Sequence, residues 1–369
     1  MADIETLFEV YPRDPLATVR LGLRVNDLVY GRLDGRDAVS GVLAGSEREQ
    51  VEASLRKLVV LLEDAGGART EAVTVVLGSE ASRGLVAEAS RSMLSDPVPA
   101  LTEVKSSLAD GLAVELHCVA RAGASQGADC EPISAASGGP MGYRVGPVLV
   151  APMIGPHDTA TGELQGEDQE SQVRAALVNA GRFLAAAGSG WHEVAQATFF
   201  MNPIDMPSLN AAWAEVFPVP EDRAPHKYVP LAMPEGQMIA VQILAIPGAP
   251  SRQVIELEHI RHGDWMTMAA RTGDAVTSSR IIAKRDEDAA VYAGRVLDGI
   301  ETVMAEAGGS LRDLTQVTAF IGDSAYREVV EADLRGRLGA GVELPRMNYI
   351  EANLGGVKAP RMEILGLIR

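Results

Sequence analysis

The sequence is poor in cysteine, in aromatic residues and in long apolar runs. It holds two cysteines among 369 residues, which is too few for a disulfide framework. No apolar run reaches about 18 residues, the length that would cross a bilayer as a helix. A secretion signal begins with basic residues and continues with an apolar run, whereas the first five residues here, MADIE, are acidic. We therefore expect no membrane span, no signal peptide and a cytoplasmic location.

Basic residues are also scarce relative to acidic ones. Lys and Arg total 33 against 50 Asp and Glu, which gives a formal net charge of −17. Nucleic-acid binding requires clustered Lys and Arg that neutralise phosphates, so this balance argues against a polyanion as partner. We expect a small molecule as the ligand, and no cofactor.

The sequence does contain a pattern that occurs three times. In each third an amphipathic helix ends at small residues and is followed by a β-rich strand with a threonine in it. The glycine and the threonine of the three occurrences are Gly66 and Thr74, Gly188 and Thr198, and Gly308 and Thr318. The glycines lie 122 residues apart (188 minus 66) and then 120 apart (308 minus 188). Such a period is a small domain, beyond the solenoid range of about 20 to 50 residues.

Each third predicts the same order of elements. The first helix has apolar residues three or four positions apart, as in Val51, Leu55 and Leu58, and so buries one face. A second helix is predicted at 82–94, 206–217 and 324–338, and a closing strand at 112–119, 238–246 and 361–368. Each third then reads β-β-α-β-α-β, an α+β layer with two helices on one face of a sheet.

The middle third also carries the residues of a known family. These are YRVGPVLV (143–150), TGEL (161–164), QVRAALVN (172–179), and FFM (199–201) before LNAAW (209–213). They resemble the RidA/YjgF/UK114 family of reactive intermediate deaminases, whose older label is endoribonuclease L-PSP. The third repeat resembles the family more weakly, and the first more weakly still. The acidic charge balance counts against the ribonuclease activity in the older label.

The resemblance implies an architecture. Family members are usually single domains that form a homotrimer, with helices outside, sheets around a central barrel and three clefts between neighbours. We therefore predict three tandem RidA-like (chorismate mutase-like) domains that form a pseudo-trimer within one chain. The domains are residues 1–121, then a linker at 122–139, residues 140–247, and residues 248–369 with a second linker at their start. One chain can line each cleft differently, because symmetry no longer repeats each substitution. Further dimerisation stays open.

The family's functional arginine and glutamate map best onto the third repeat. Arg346 and Glu363 match them, whereas the first repeat has Ala100 at the arginine position and Glu115 at the glutamate position. A guanidinium matches a carboxylate bidentately, and a glutamate can hold or deprotonate a water. The resemblance implies hydrolysis of an imine or enamine of an amino acid to a 2-oxo acid and ammonia. Arg346 would anchor the substrate, and Glu363 or Glu115 would position the water.

The middle repeat has lost both side chains. The matching positions fall near Pro225 and Ala240, so Arg223, His226 or Lys227 would have to supply a cation.

Further residues are candidates for contact with the ligand. Ser279 and Arg280 partly match the family's Ser-Gly-Gln turn, and Asn348 lies two residues after Arg346. His157 lies in a loop that lines the family's cleft, and Trp265 stands near an aromatic position at the cleft mouth.

Two other groups of residues predict no site. His259 and His262 could approach one metal, but no cysteine or acidic residue completes the set, so we predict no metal. His117 and Cys118 are neighbours on a strand and point to opposite faces, which disfavours a dyad. Cys118 is predicted in the core, and Cys130 as a linker thiol.

Three functions remain open. The first is the imine or enamine hydrolase. The second is a chorismatase-like biosynthetic enzyme for a larger cyclic carboxylate, in a cleft enlarged at Ala100 and Ala240, with Arg280 or Arg32 as a second cation. The third is a non-catalytic ligand-binding protein, because two of three arginine positions are lost. If Arg346 is fully paired to structural carboxylates, the third gains.

Overall fold

The protein is described from a computed structural model. The structure describes residues 4–10, 18–25, 28–37, 42–66, 69–79, 81–94, 100–105, 108, 111–121, 130–135, 139–145, 148–230, 233–257, 267–283, 288–323, 325–342, 344–351 and 360–368.

Strands and helices follow one another in the same order, β-β-β-α-β-α-β-β, in each third. The first third comprises β1 (Ile4–Val10), β2 (Thr18–Val25), β3 (Leu28–Asp34), α1 (Glu47–Asp64), β4 (Arg69–Leu77), α2 (Ala81–Met93), β5 (Ala100–Lys105) and β6 (Val114–Arg121). The second comprises β7 (Cys130–Ala135), β8 (Gly139–Val145), β9 (Val148–Ile154), α3 (Gln169–Ala186), β10 (Val194–Met201), α4 (Met206–Val216), β11 (His226–Pro230) and β12 (Ile239–Ala245). The last comprises β13 (Gln253–Ile255), β14 (Ala269–Thr272), β15 (Ala275–Ser278), α5 (Ala289–Glu306), β16 (Leu314–Ile321), α6 (Tyr326–Leu338), β17 (Arg346–Glu351) and β18 (Arg361–Leu367).

The strands form three six-stranded sheets of one topology. Their orders are β1-β2-β3-β6-β4-β5, β7-β8-β9-β12-β10-β11 and β13-β14-β15-β18-β16-β17. The closing strands β6, β12 and β18 therefore lie inside their sheets, while β5, β11 and β17 lie at an edge. The α+β fold is confirmed, and each sheet has two strands more than the predicted β-β-α-β-α-β order.

The additional strands include two that fall in stretches predicted as linkers. β7 lies within residues 122–139, so Cys130 belongs to a strand, and β13 lies in the second linker. The prolines and glycines of these stretches suggested loops. Pairing of β7 with β8 and of β13 with β14 extends the sheets instead.

The helix ends follow the local sequence. Ser46 caps α1 in a capping box with Glu49, whose side chain accepts from the Ser46 backbone N–H. The predicted glycine stops are confirmed, since Gly66, Gly188 and Gly308 have φ of 82°, 69° and 88°. A side chain with a Cβ is strained in this left-handed region, which is why glycine ends these helices.

The core lies between the helices and one face of each sheet. In the first sheet, Leu55 and Leu58 of α1 pack into one cluster with Leu116 and Cys118 of β6. Because side chains alternate along a strand, Glu115 and His117 of β6 point to the opposite face. The face away from the helices is thus where polar side chains of the closing strands gather.

The chain divides into two compact units. Unit 1 comprises Met1–Asp129, Ala319–Ser324 and Arg346–Lys358, and unit 2 comprises Cys130–Thr318, Ala325–Pro345 and Ala359–Arg369. Among the described helices, none has the length and apolar character needed to span a membrane.

Candidate functional site

The closing strands carry equivalent positions on the face opposite the helices. His117 of β6 lies opposite Thr74 of β4, and Gln242 of β12 lies opposite Thr198 of β10. The pairing with the preceding strand gives the same equivalence in the third sheet. Equivalent residues of the preceding strands β3, β9 and β15 pair with Ala120, Ala245 and Gly366 of the closing strands. The residues three positions earlier on the closing strands are His117, Gln242 and Glu363. The strand register thus equates His117, rather than Glu115, with Glu363.

The positions two residues earlier also differ among the closing strands. They hold Glu115 on β6, Ala240 on β12 and Arg361 on β18. The same two positions therefore hold a carboxylate and an imidazole on β6, an alanine and an amide on β12, and a guanidinium and a carboxylate on β18.

In unit 1, Arg346 lies against the strand that carries Glu115 and His117. Its Nη1 donates to the carbonyl oxygen of Cys118 at 3.0 Å. His117 Nε2 and Glu115 Oε1 are 2.6 Å apart, and the side chains are only 7% and 2% exposed. The structure thus brings Arg346 to the strand of Glu115, one of the two glutamates that the sequence left open. We call Arg346, Glu115 and His117 the unit-1 cluster.

The neighbours of this cluster follow the predicted alternation. Cys118 is buried in the core of the first sheet, as predicted, while His117 pairs with Glu115 on the other face. Burial raises the pKa of the Cys118 thiol to about 11, so it stays protonated at neutral pH. Asn348, two residues beyond Arg346 on β17, is also buried. The side chain of Arg32 lies outside the described residues.

In unit 2, Glu363 is part of a buried ion pair. Its Oε2 pairs with Nζ of Lys227 on β11, and both side chains are 9% exposed. Arg280, just after β15, donates from Nη2 to the carbonyl oxygen of Tyr228. The Arg280 guanidinium also stacks on the Tyr228 ring, with Cζ 5.5 Å from the ring centroid. Lys227, Glu363, Arg280 and Tyr228 form the unit-2 cluster.

Burial and charge act against each other in the unit-2 cluster. Burial lowers the pKa of the Lys227 ammonium, Glu363 opposes this shift, and Arg280 adds to it. Burial likewise lowers the pKa of the Arg280 guanidinium, which Glu363 opposes and Arg361 reinforces. Removal of these charges from water is the dominant effect, because the charged form loses its hydration.

Of the three residues proposed from the sequence to supply a cation in the middle repeat, Lys227 belongs to the unit-2 cluster. His226 precedes it on β11 and so points to the opposite face, where it lies 5.2 Å from the Trp213 ring centroid within the core. Arg223 donates from Nε to the carbonyl oxygen of Phe217 at 2.9 Å and closes the end of α4. Strand alternation was the signal that separates Lys227 from His226.

The remaining predicted residues lie elsewhere or outside the described residues. Ser279 is buried, and its Oγ donates to the carbonyl oxygen of Met268, which holds the turn before Arg280. His157 lies in the loop after β9, where its carbonyl oxygen accepts from Asn179 Nδ2 at 2.7 Å. Trp265 and the two histidines of the rejected metal site lie outside the described residues. Within the described part of the chain, no three His, Cys, Asp or Glu side chains are grouped to hold a metal.

Comparison with known proteins finds a family match for the middle of the chain. A family model described as endoribonuclease L-PSP matches residues 144–246. Among solved structures, a chorismatase shares 12% identity, covers 94% of this chain and 100% of its own, and superposes with a TM-score of 0.51. This likeness shows a common fold.

Shorter solved structures each cover about a third of the chain. RidA from an Antarctic Psychrobacter species is 24% identical and covers 29% of this chain and 89% of its own, with a TM-score of 0.27. A member of the YjgF/UK114 family from Mycobacterium tuberculosis is 19% identical and covers 32% and 98%, with a TM-score of 0.27. No curated protein matches the chain. The family resemblance predicted for the middle third is thus confirmed over residues 144–246, which match the endoribonuclease L-PSP model.

Proposed function

We propose that the protein is a RidA-like hydrolase that acts on an imine or enamine of a small carboxylate, with the unit-1 cluster as its site. The observation that carries this proposal is the position of Arg346. Its guanidinium is fixed on the Cys118 carbonyl, on the strand that also carries the hydrogen-bonded pair of Glu115 and His117. An anion-binding group and a proton-transfer pair on adjoining positions are what such a hydrolysis requires.

Each side chain then has a distinct role. Arg346 binds the substrate carboxylate through N–H groups of its planar fork. His117 accepts a proton from the water that attacks the C=N carbon of the iminium, and Glu115 orients the imidazole and stabilises its charged form. The imidazolium returns this proton to the nitrogen, which leaves as ammonia. The C=O bond forms, the hydroxyl proton passes to ammonia, and the products are a 2-oxo acid and ammonium.

The test is release of ammonia and 2-oxo acid from 2-iminopropionate generated in situ. We expect the wild type to accelerate release, and Arg346→Ala, Glu115→Gln and His117→Ala each to lower kcat/KM by about 100-fold or more, as for loss of a general base. Arg174→Ala is the control, because Arg174 pairs with Glu170 and Glu215 on an exposed surface of unit 2. Equal rates with and without folded wild-type protein would refute the proposal.

A larger cyclic carboxylate is the second candidate substrate, on the strength of the whole-chain fold likeness to a chorismatase. Consumption of chorismate is measured with the same set of variants. Turnover of chorismate without turnover of 2-iminopropionate would favour this candidate. Binding of either compound without turnover would favour the non-catalytic hypothesis.

A further inference from the structure

Lysine is rare in this chain, and one lysine is buried beside a carboxylate. The sequence has five lysines, so the remaining 28 of its 33 basic residues are arginine (33 minus 5). Most basic positions of this chain are thus arginine. Arginine does not lose its proton in proteins, whereas lysine can do so and then becomes a nucleophile.

The position of Lys227 suits an amine that must lose a proton. Its Nζ contacts Glu363 Oε2, so a proton acceptor is already in place. Arg280 stands on the same cluster, held by the carbonyl and the ring of the adjacent Tyr228. A nearby cation and a dry environment disfavour the ammonium form, which is how lysines that form imines are activated.

The same cluster has a group that can orient a carbonyl compound. The Arg280 guanidinium is planar and suits a carboxylate, and it is fixed next to the residue that follows Lys227. A ligand whose carboxylate binds Arg280 and whose carbonyl carbon faces Lys227 Nζ is a 2-oxo acid or a close relative.

We propose that Lys227 forms an imine with the carbonyl carbon of a 2-oxo acid, with Glu363 as the proton carrier and Arg280 as the carboxylate anchor. Glu363 takes a proton from the ammonium, and the free amine adds to the carbonyl carbon to give a carbinolamine. Glu363 then protonates the hydroxyl group, which leaves as water, and the C=N bond forms. No oxidant or reductant is needed. This activity belongs to unit 2 and does not rest on the hydrolysis proposed for the unit-1 cluster.

Borohydride trapping tests the proposal directly. The full-length protein is incubated with pyruvate and sodium cyanoborohydride, which reduces an imine to a stable secondary amine, and adducts are located by intact mass and peptide mapping. We expect one adduct per chain, at Lys227. Lys57→Arg is the matched control, because Lys57 is also buried and pairs with Asp34 at 2.9 Å. This variant keeps the adduct.

Variants of the cluster separate the imine from a structural ion pair. Lys227→Arg keeps the positive charge and loses the adduct. Arg280→Met keeps the adduct but raises the pyruvate concentration for half-labelling by about tenfold or more, as for loss of one charge-assisted hydrogen bond. Acetaldehyde, which lacks the carboxylate, shows no such difference between wild type and Arg280→Met. Circular dichroism establishes that each variant is folded.

Two outcomes overturn the proposal. One is absence of an adduct in the folded wild type at saturating pyruvate, which would make the pair of Lys227 and Glu363 structural. The other is labelling that persists in Lys227→Arg. Trapping is repeated in Arg346→Ala, where we expect the adduct to remain while ammonia release from 2-iminopropionate is lost. Failure of one proposal is thereby distinguished from failure of the other.

Discussion

The ion pair of Lys227 and Glu363 predicts an unequal double-mutant cycle. Both side chains are 9% exposed, so removal of one partner leaves a buried charge without its counterion. For such pairs the loss is about 3–5 kcal/mol in the free energy of unfolding. Replacement of both partners by apolar residues of similar volume is often neutral, so Lys227→Met with Glu363→Leu should cost about 1 kcal/mol or less.

The two single variants should differ because Arg280 also faces the pair. Glu363→Leu leaves the cations Lys227 and Arg280 together, whereas Lys227→Met leaves Glu363 with Arg280 as a partner. The electrostatic effects of Arg280 on Lys227 and of Glu363 on Arg280 support this asymmetry. We therefore expect Glu363→Leu to be the more destabilising variant, near the upper end of that range.

Urea unfolding followed by tryptophan fluorescence measures the cycle. The three tryptophans, Trp191, Trp213 and Trp265, all belong to the ranges of unit 2, so the signal reports on the unit that contains the pair. Additive costs in the double variant, or single costs below about 1 kcal/mol, would refute a coupled buried pair.

The pH dependence of stability gives an independent check. Burial lowers the pKa of Lys227 below its ordinary value of 10.5, so the folded state releases this proton before the unfolded state does. Between the two pKa values the unfolded state binds more protons, and stability from this group rises with pH. Lys227→Met should lack that rise. An identical alkaline profile in wild type and variant would contradict the assigned direction.

Three further predictions follow from burial. Trp213→Ala should cost about 3–5 kcal/mol in unfolding free energy, because the buried indole packs against Trp191 and Phe217. Val178→Ala on an exposed helix face should cost under about 0.5 kcal/mol by the same urea assay. Arg252→Met should destabilise unit 2 by about 3 kcal/mol or more by the same assay. The buried Arg252 guanidinium donates to the carbonyl oxygens of Trp191, His192 and Val194, and these three acceptors would lose their donor. In a Cys130→Ser background, Cys118 should resist DTNB at pH 8 until urea unfolds the chain. The contribution of this thiol to stability should fall between pH 9 and 11, because burial raises its pKa to about 11 and the unfolded state loses the proton first.

Local signals were sufficient for the helices and the closing strands. The apolar spacing of α1 and the glycine stops place helix ends to within a few residues, because both act through neighbouring backbone. The edge strands β5, β11 and β17 were not predicted. Each follows a proline, as in Pro225 before β11 and Pro345 before β17, and proline suggests a connection rather than a strand. At a sheet edge a proline is tolerated, which a short sequence window does not reveal.

The residues of the site were predicted, but the choice of partner was left open for Arg346 and the partner of Glu363 was not predicted. Arg346, Glu363 and Glu115 stand out through the family resemblance, yet their partners depend on contacts over long sequence distances. Lys227 meets Glu363 across 136 positions (363 minus 227), and Arg346 meets Cys118 across 228. No local pattern encodes such a meeting. Strand alternation alone does place His117 on the face of Glu115, and this inference was within reach of the sequence.

The division of chemistry among the closing strands follows from side-chain type. The domain that matches the family model presents Ala240 and Gln242 at the two positions where the other closing strands have ionisable groups. An amide neither takes a proton from water nor carries charge at neutral pH, so this strand offers no general base. Glu115 with His117, and Glu363 with Lys227, do provide proton acceptors. The family model therefore matches the domain whose closing strand is chemically inert, and the ionisable groups of the closing strands lie in the other two sheets.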